Sequence, residues 1–527
     1  MHLISKAACS VGHVLALCLC GAVALASAAA AADKPHPNIV VLVADDWGFS
    51  DVGAYGSEIA TPNIDELARH GVRFSNFHVA ASCAPTRSML LTGVDNHLNG
   101  VGNLRETMPQ GHLGKPGYLG SLDTNVVTVA TLLQDSGYRT YIAGKWNVGS
   151  ESYNLPNRRG FDRSIIQGDT GSDNWVPGQR YLPHGAKVNW FEDGKEPVMP
   201  AEFYSSQYFV DKYQGRYDAG WAVLRNARRY EARRMEVYAA MADAMDYHLG
   251  RLVAHLKAIG EYDNTVFVFL SDNGPEGADY ADARLWLMTQ YTQDIEKLGA
   301  KGAFSIMGPS WASASAAPLN MYKFYAGEGG IRVPLIIAGV PGMAQNQIQR
   351  SLAHVTDIVP TLLDLAQVAH PGTHYNGRRI EALTGRSLLP VLTGQAERVH
   401  DDAEKIGYEL AGNQALFKGD LKLVKDSPPL GDGLWHLYDL RTDPGETQDL
   451  QASMPEVFKA MQADYEAYAR SHRVLPMPPG YNPVRQVLIN SFVNYWIPTY
   501  RDTVLASLAG LLALGVAIVV LRRRRRD

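Results

Sequence analysis

Cysteine available for disulfides is what this 527-residue chain has least of. Four cysteines occur, and Cys9, Cys18 and Cys20 all lie in the first twenty residues, inside an apolar stretch that reads as removable. Without that stretch Cys83 stands alone, no intramolecular disulfide can form, and the stapled framework of small secreted domains is excluded. Internal repeats are lacking, as is low complexity beyond the alanine-rich start. A composition of 46% hydrophobic and 20% charged residues excludes a disordered, collagen-like or multi-pass membrane chain. No basic stripe is present, which argues against nucleic acid as a partner. With Lys6 and Arg522–Arg526 set aside, residues 33 to 502 hold 43 Lys+Arg against 53 Asp+Glu, so the overall charge of −5 conceals a more acidic central part.

Both ends carry membrane-related patterns. Lys6, the apolar run from Val14 to Ala26 and the alanines from Ala28 to Ala32 form the three regions of a secretory signal over residues 1–32, an uncleaved anchor being the alternative. Thr503 to Leu521 is uncharged and long enough to span a bilayer as a helix (503–521). Five arginines follow it, and Tyr495, Trp496 and Tyr500 precede it, which predicts a cytoplasmic basic tail (522–527) and a periplasmic or extracytoplasmic body. Between the ends we expect a large domain (33–395), a small α+β subdomain (396–473) and a proline-rich linker with a juxtamembrane segment (474–502).

Asn38–Ala44 and Thr265–Leu270 read as fully buried strands of a parallel sheet covered on both faces. The first runs into Asp45-Asp46 and the second into Ser271-Asp272-Asn273-Gly274. Ligands of open α/β sheets bind beyond the carboxyl ends of strands, where these oxygens are suited to Ca²⁺ or Mg²⁺. Acids at strand ends also serve as ordinary turn residues. Helical patterns cover Asn63–His70, Val126–Asp135, Val237–Ile259 and Val355–Ala366, and Arg332–Ala338 reads as another core strand. Toward the C-terminus, Asn413–Lys425 and Leu434–Leu440 alternate like two antiparallel strands ahead of a helix at Pro455–His472. Glycine-flanked Lys145 and Lys323, which lies ahead of Gly329-Gly330, are cations expected in loops, a solvated lysine being the plainer reading of each. Cys83 precedes Pro85, a residue that can open a helix and leave the thiol at its positive end; a buried, inert thiol is the plainer reading.

Together these residues resemble one family. Cys83-Ala-Pro-Thr-Arg87 is similar to the C-x-P-x-R signature of formylglycine-dependent sulfatases, with Thr where many members have Ser, and continues into Ser88-Met-Leu-Leu-Thr-Gly93 as in bacterial arylsulfatases. Asp45-Asp46, Thr61-Pro-Asn-Ile-Asp65, Gly144-Lys-Trp146, Ser271-Asp-Asn-Gly274, Lys323 and Gly330-Ile-Arg-Val-Pro334 follow the family order. The resemblance implies an alkaline-phosphatase-like fold: a large mixed, mainly parallel sheet flanked by helices, with a smaller C-terminal α+β subdomain. It implies that a maturation enzyme oxidises Cys83 to formylglycine, whose hydrated form supplies the nucleophile. It further implies that Asp45, Asp46, Asp272, Asn273 and the modified Cys83 hold Ca²⁺, or less typically Mg²⁺. Lys145 and Lys323 would bind the sulfate ester and offset developing charge, and Arg87 would orient the nucleophile.

Two departures qualify the resemblance. The family's Gly-Lys-Trp-His-x-Gly loop has Asn147 at the histidine position, and asparagine cannot act as a base near neutral pH. Close relatives also carry an apolar strand and a Pro-His loop before the long helix, whereas Phe209–Ala219 runs through without either. Impaired turnover of sulfate esters is therefore expected, with phenolic esters least affected. His97 and His184 are the candidates for a substitute base, a structural or exposed histidine being the plainer reading of each. A phosphonate or phosphate ester hydrolase, and a non-catalytic sulfatase-like protein that binds anions at the membrane, are the alternatives.

Overall fold

Seven consecutive residues, all but the first aliphatic and most of them β-branched, make Asn38–Ala44 (β1) a strand, and it opens the computed structural model, which describes residues 36–179, 188–197, 207–214, 216, 225–279 and 284–524. The expected signal segment, His184, and residues 215, 217–219 and 525–527 lie outside the described residues. The further strands that frame the site are Gly71–Phe74 (β2), Tyr141–Lys145 (β3), Arg163–Gln167 (β4), Trp190–Glu192 (β5), Thr265–Ser271 (β6), Leu335–Ala338 (β7) and Gln347–Gln349 (β8). One sheet has the order β1-β6-β7-β2-β8, and a second has the order β3-β4-β5. The first is mixed: β1 and β6 run parallel, with Ala44 opposite Ser271, whereas β7 is antiparallel to both β6 and β2.

Every residue of β6 is buried, because both faces of the sheet are covered. Val266, Val268 and Leu270 pack on one side with Met89 and Leu90 of the helix Cys83–Thr92, while Phe267 and Phe269 pack on the other with Ile64 and Leu67 of the helix Pro62–His70. We call these helices α1 (Pro62–His70) and α2 (Cys83–Thr92). The long helix Arg225–Ala258 (α3) adds Met235, Ala239 and Ala242 to the second face and begins earlier than its apolar pattern indicates.

β1 departs from expectation. Its apolar run predicts full burial, yet only Ala44 is buried. Among the described residues β1 pairs with β6 alone, so it forms the edge of its sheet. Its counterpart β3 pairs, among the described residues, with β4 alone, and Tyr141 is 66% exposed. An apolar strand with one free edge loses the neighbour that would shield its side chains, which accounts for the exposure. Among the described residues the sheet is thus divided between β1 and β3, and the described part of Phe209–Ala219 supplies no strand there, Gln207–Tyr213 being helical.

Near the C-terminus, Lys405–Leu410 (β9), Asn413–Lys418 (β10), Leu421–Lys425 (β11) and His436–Asp439 (β12) form an antiparallel sheet in sequence order. The single strand expected at 413–425 is a hairpin, because Gly419, at φ 59°, turns the chain. Pro455–Ser471 (α4) covers one face, packing Met461 and Tyr465 on Leu416, Leu423 and Leu437. The other face, with Tyr408, Ala415 and Phe417, joins the core of the large sheet. The helix Ile497–Arg524 (α5) contains Tyr500–Ile518, which by length and composition alone can cross a membrane.

Candidate active site

The carboxyl ends of β1 and β6 lie side by side, so the acids that follow them meet. Asp46 takes a left-handed conformation, φ 64°, and its N–H is 3.2 Å from Asp272 Oδ1, while Trp47 N–H donates to Ser271 Oγ at 2.9 Å. Gly274 is required at the next turn: a Cβ there would stand 1.9 Å from the Gly329 carbonyl oxygen. α2 brings Cys83 in at its first turn, as the Pro85 pattern predicts, and Arg87 stands one turn later on the same face. Cys83 Sγ is 3.6 Å from Asp45 Oδ1 and 3.7 Å from Asp46 Oδ1.

Three carboxylates are matched one to one by three cations. Lys145, at the end of β3, donates to Asp45 at 2.9 and 3.0 Å; Lys323 donates to both oxygens of Asp46 at 2.8 Å; Arg87 Nε donates to Asp272 at 2.8 Å. Arg87 Nη1 also donates to the Lys145 carbonyl at 2.9 Å, tying α2 to β3. All eight residues expected at the site therefore meet in one cluster. Burial raises the Asp272 carboxyl to about 6, with the charge of Asp45 adding to the shift and Arg87 opposing it. Burial would depress the Lys323 ammonium, but the charges of Asp46, Cys83 and Glu276 outweigh it and hold the group well above its ordinary value.

Ligand atoms of Asp45, Asp46, Cys83 and Asp272 all lie within 4.8 Å of one another. Asn273 donates its amide to Asp46 and to the Gly274 carbonyl, which leaves its Oδ1 buried without a hydrogen-bond partner. An orphaned buried carbonyl beside clustered carboxylates fits a hard cation.

The loop bearing Lys323 is held from the C-terminal sheet. Asp426 accepts from the backbone of Ala326 and Gly327, and fully buried Lys422 bridges Glu328 and Glu446 at 2.8 Å each. Sequence reading misses Glu276, which is 3.1 Å from Lys323; its signal is an acid three residues beyond Asn273. It also misses Tyr238, which donates to Asp51 and at 3.4 Å to the Asp46 carbonyl, and that pairing between α3 and the β1 loop has no local signature.

His97 is not a substitute base. Its ring is fully buried, with Nε2 2.9 Å from Glu409 and Nδ1 3.7 Å from Asp95, and it packs edge-on to Tyr118. Burial works to neutralise it, but Asp95 and Glu409 prevail and raise it to about 9. The folded value exceeds that of the unfolded chain, so this pairing contributes stability in full below about pH 6.5 and loses it as pH rises through about 9. His97→Gln is expected to lower stability by about 3 kcal/mol at pH 6 and to flatten its decline between pH 7 and 10, as read from unfolding midpoints in urea. An unchanged pH profile in the variant would refute the pairing.

A cavity of about 950 Å³ opens from the cluster, lined by Asp45, Asp46, Lys145, Lys323 and Glu276 together with residues of β1, β3 and α3. Asn147, at φ 58°, follows Lys145 by two residues, a left-handed position that asparagine tolerates well.

The chain matches the Sulfatase family over residues 37–195 and 197–368. It is 34% identical to an uncharacterised sulfatase of Schizosaccharomyces pombe, with 85% of this chain and 96% of that protein covered. That match extends over 533 residues, more than this chain contains, so part of the relative has no counterpart here. Arylsulfatase of Klebsiella aerogenes is 30% identical, with 64% of this chain and 88% of that protein covered, and human arylsulfatase A is 27% identical, with 81% and 86% covered. Among solved structures, Ps i-CgsB superposes with a TM-score of 0.61 at 24% identity, covering 89% of this chain and 99% of that one. The fold is the alkaline-phosphatase-like one expected.

Proposed function

Because this chain belongs to the sulfatase family, close to its arylsulfatases, and with it to the sulfuric ester hydrolases, we propose that it hydrolyses sulfate esters at the Cys83 cluster. The observation that carries this reading is the one-to-one pairing of Asp45, Asp46 and Asp272 with Lys145, Lys323 and Arg87 around Cys83. With Glu276 beside Lys323 the cluster holds four acids against three cations, and a divalent ion would turn that balance positive, which suits it to an anionic ester. Asp45, Asp46, Asp272, Asn273 and the converted Cys83 are the residues that would hold Ca²⁺, or Mg²⁺ as the alternative, and the bound ion would supply Lewis-acid charge toward sulfate oxygens. Cys83 would serve as formylglycine, whose hydrated aldehyde offers the nucleophilic oxygen. Cys83 is 5% exposed in the fold, so the maturation enzyme must reach it before folding is complete.

Lys145 and Lys323 bind the sulfuryl oxygens and offset the charge that builds on them, and Arg87 fixes the orientation of position 83 through its hold on Asp272. In the net reaction the ester S–O bond breaks, water oxygen ends on sulfur, and a water proton ends on the departing alcohol. Asn147 offers no base, so proton transfer is the weak step, and phenolic esters are expected to turn over faster than alkyl or sugar sulfates. We assign residues 33–395 and 396–473 to the hydrolase body and its C-terminal subdomain, outside the membrane, with 503–521 as the anchor and the basic tail cytoplasmic.

Mass spectrometry of the Cys83 peptide from the native host, run beside turnover of 4-nitrophenyl sulfate and the matching aryl phosphonate, tests this reading. An aldehyde at position 83 with sulfate preferred is the expected result. A preference for phosphonate points to the related phosphonate or phosphate hydrolase. Asn147 favours one further reading, a non-catalytic anion-binding protein, and an intact thiol with no release of sulfate would establish that instead.

A further inference from the structure

The cavity next to the cluster is far larger than a sulfate group needs, and its walls change character away from the charges. α3 contributes Val237, Met241, Met245 and Leu249, a stripe at four-residue spacing, and Trp175 and Phe304 extend the apolar lining. Leu42 of β1 and Ala143 of β3 also border it, so the cavity occupies the gap where the sheet is divided. Met241 is 51% exposed there. Two of the polar residues in this lining are turned to other partners. Arg234 is bound to Glu231 and the Ile306 carbonyl, and the Asp173 carboxylate accepts from the N–H groups of Trp175 and Val176 at 2.8 Å.

We propose that the ester cleaved here carries a bulky apolar leaving group, a long alkyl-aryl or polycyclic alcohol, which lies along the α3 stripe while its sulfate sits among Lys145, Lys323 and the acids. The proposal rests on the hydrolase reading and names the substrate class of the same site. Its physical basis is burial: Val237 and Leu249 are already buried by the fold, whereas Met241 beside them loses contact with water only when an apolar group covers it, and methionine adapts its shape to a varied ligand. Gln167, Thr170, Ser172, Asn174, His248 and Ser305 also border the cavity and could meet polar groups, but sugar hydroxyls laid against Met241, Trp175 and Phe304 would give up hydrogen bonds to water without replacement. Among the described residues no strand lies between β1 and β3, which leaves this space open.

The test is direct binding to the full chain in lipid nanodiscs, with empty nanodiscs subtracted, using phenyl sulfate, 4-octylphenyl sulfate and the sulfate-free 4-octylphenol below their micelle concentrations. We expect 4-octylphenyl sulfate to bind about tenfold or more tightly than phenyl sulfate. Met241→Glu places a charge in the stripe at an exposed position that the fold tolerates, and is expected to bring that ratio close to unity while the unfolding midpoint stays within a few degrees. Equal affinities in the unaltered protein, or a ratio untouched by Met241→Glu, would overturn the proposal. So would displacement of 4-octylphenol by a tighter-binding apolar peptide copying Asn38–Ala44, since the gap would then be a slot for a strand. Binding of 4-octylphenol needs neither conversion of Cys83 nor turnover, so it remains readable if no ester is hydrolysed. Hydrolysis of phenyl sulfate without any size preference would remove this inference alone.

Discussion

Cys83→Ala is expected to reduce steady release of sulfate from 4-nitrophenyl sulfate by about 10³-fold or more. The substitution removes the only atom at position 83 that can be converted into a nucleophile, and leaves the surrounding charge pairs their partners. Little structural loss should accompany it, because Cys83 is small, lies in the first turn of α2, and is not part of the buried apolar clusters. An unfolding midpoint close to that of the unaltered protein therefore accompanies the expected loss, and separates chemistry from folding. Retained turnover in the alanine variant would sink the assignment of Cys83 as the reacting position, whatever else the cluster does. The same variant should still bind a sulfate ester with affinity within about tenfold, since Lys145 and Lys323 carry the anion's charge.

Asn147→His works in the opposite direction. A positioned acid or base contributes about 10²–10⁴-fold, and restoring one in the loop after Lys145 is expected to raise kcat on sulfate esters by at least about tenfold. The backbone permits it: φ at this position is 58°, and histidine shares with asparagine an above-average tolerance of left-handed geometry. Trp146 and Asn147 are pinned through their N–H groups to the carbonyls of Gln167 and Gly168 at 2.9 Å, so the loop's path does not depend on the side chain at 147. The diagnostic is the pH profile of the gain. It should follow a group that titrates near neutrality, which a merely structural improvement would not do. A folded variant with unchanged or lower kcat would show that proton transfer is not the weak step.

Both substitutions fall in short motifs at strand and helix ends, which are legible in the sequence because their chemistry is local. An apolar run that ends in Asp45-Asp46 places carboxylates at a strand's carboxyl end, Cys83 ahead of Pro85 sits at a helix start, and Ser271-Asp-Asn-Gly274 closes a buried strand. Each depends on neighbouring residues only. The C-terminal strands are harder, since a two-residue turn at Gly419 interrupts an alternation that stays in phase, and the hairpin reads as one strand. His97 is ambiguous for the opposite reason: its partner Glu409 is 312 residues away, and no spacing rule reaches that far.

The amino-acid order was enough to name, residue by residue, the side chains that meet around Cys83, and to show that position 147 holds an asparagine, which cannot act as a base. Only tertiary structure decided whether, among the described residues, a strand joins β1 to β3. A strand could have stood there, or a break could have remained, and periodicity cannot distinguish the two, because pairing depends on which edges come together in space. The structure leaves β1 at the edge of one sheet and β3 at the edge of another, joined at their ends by Lys145 and Asp45, with an apolar cavity between. The charge pairs hold the cluster together across a divided sheet because each links a different pair of elements, and their combined geometry does not require β1 and β3 to be hydrogen-bonded to one another.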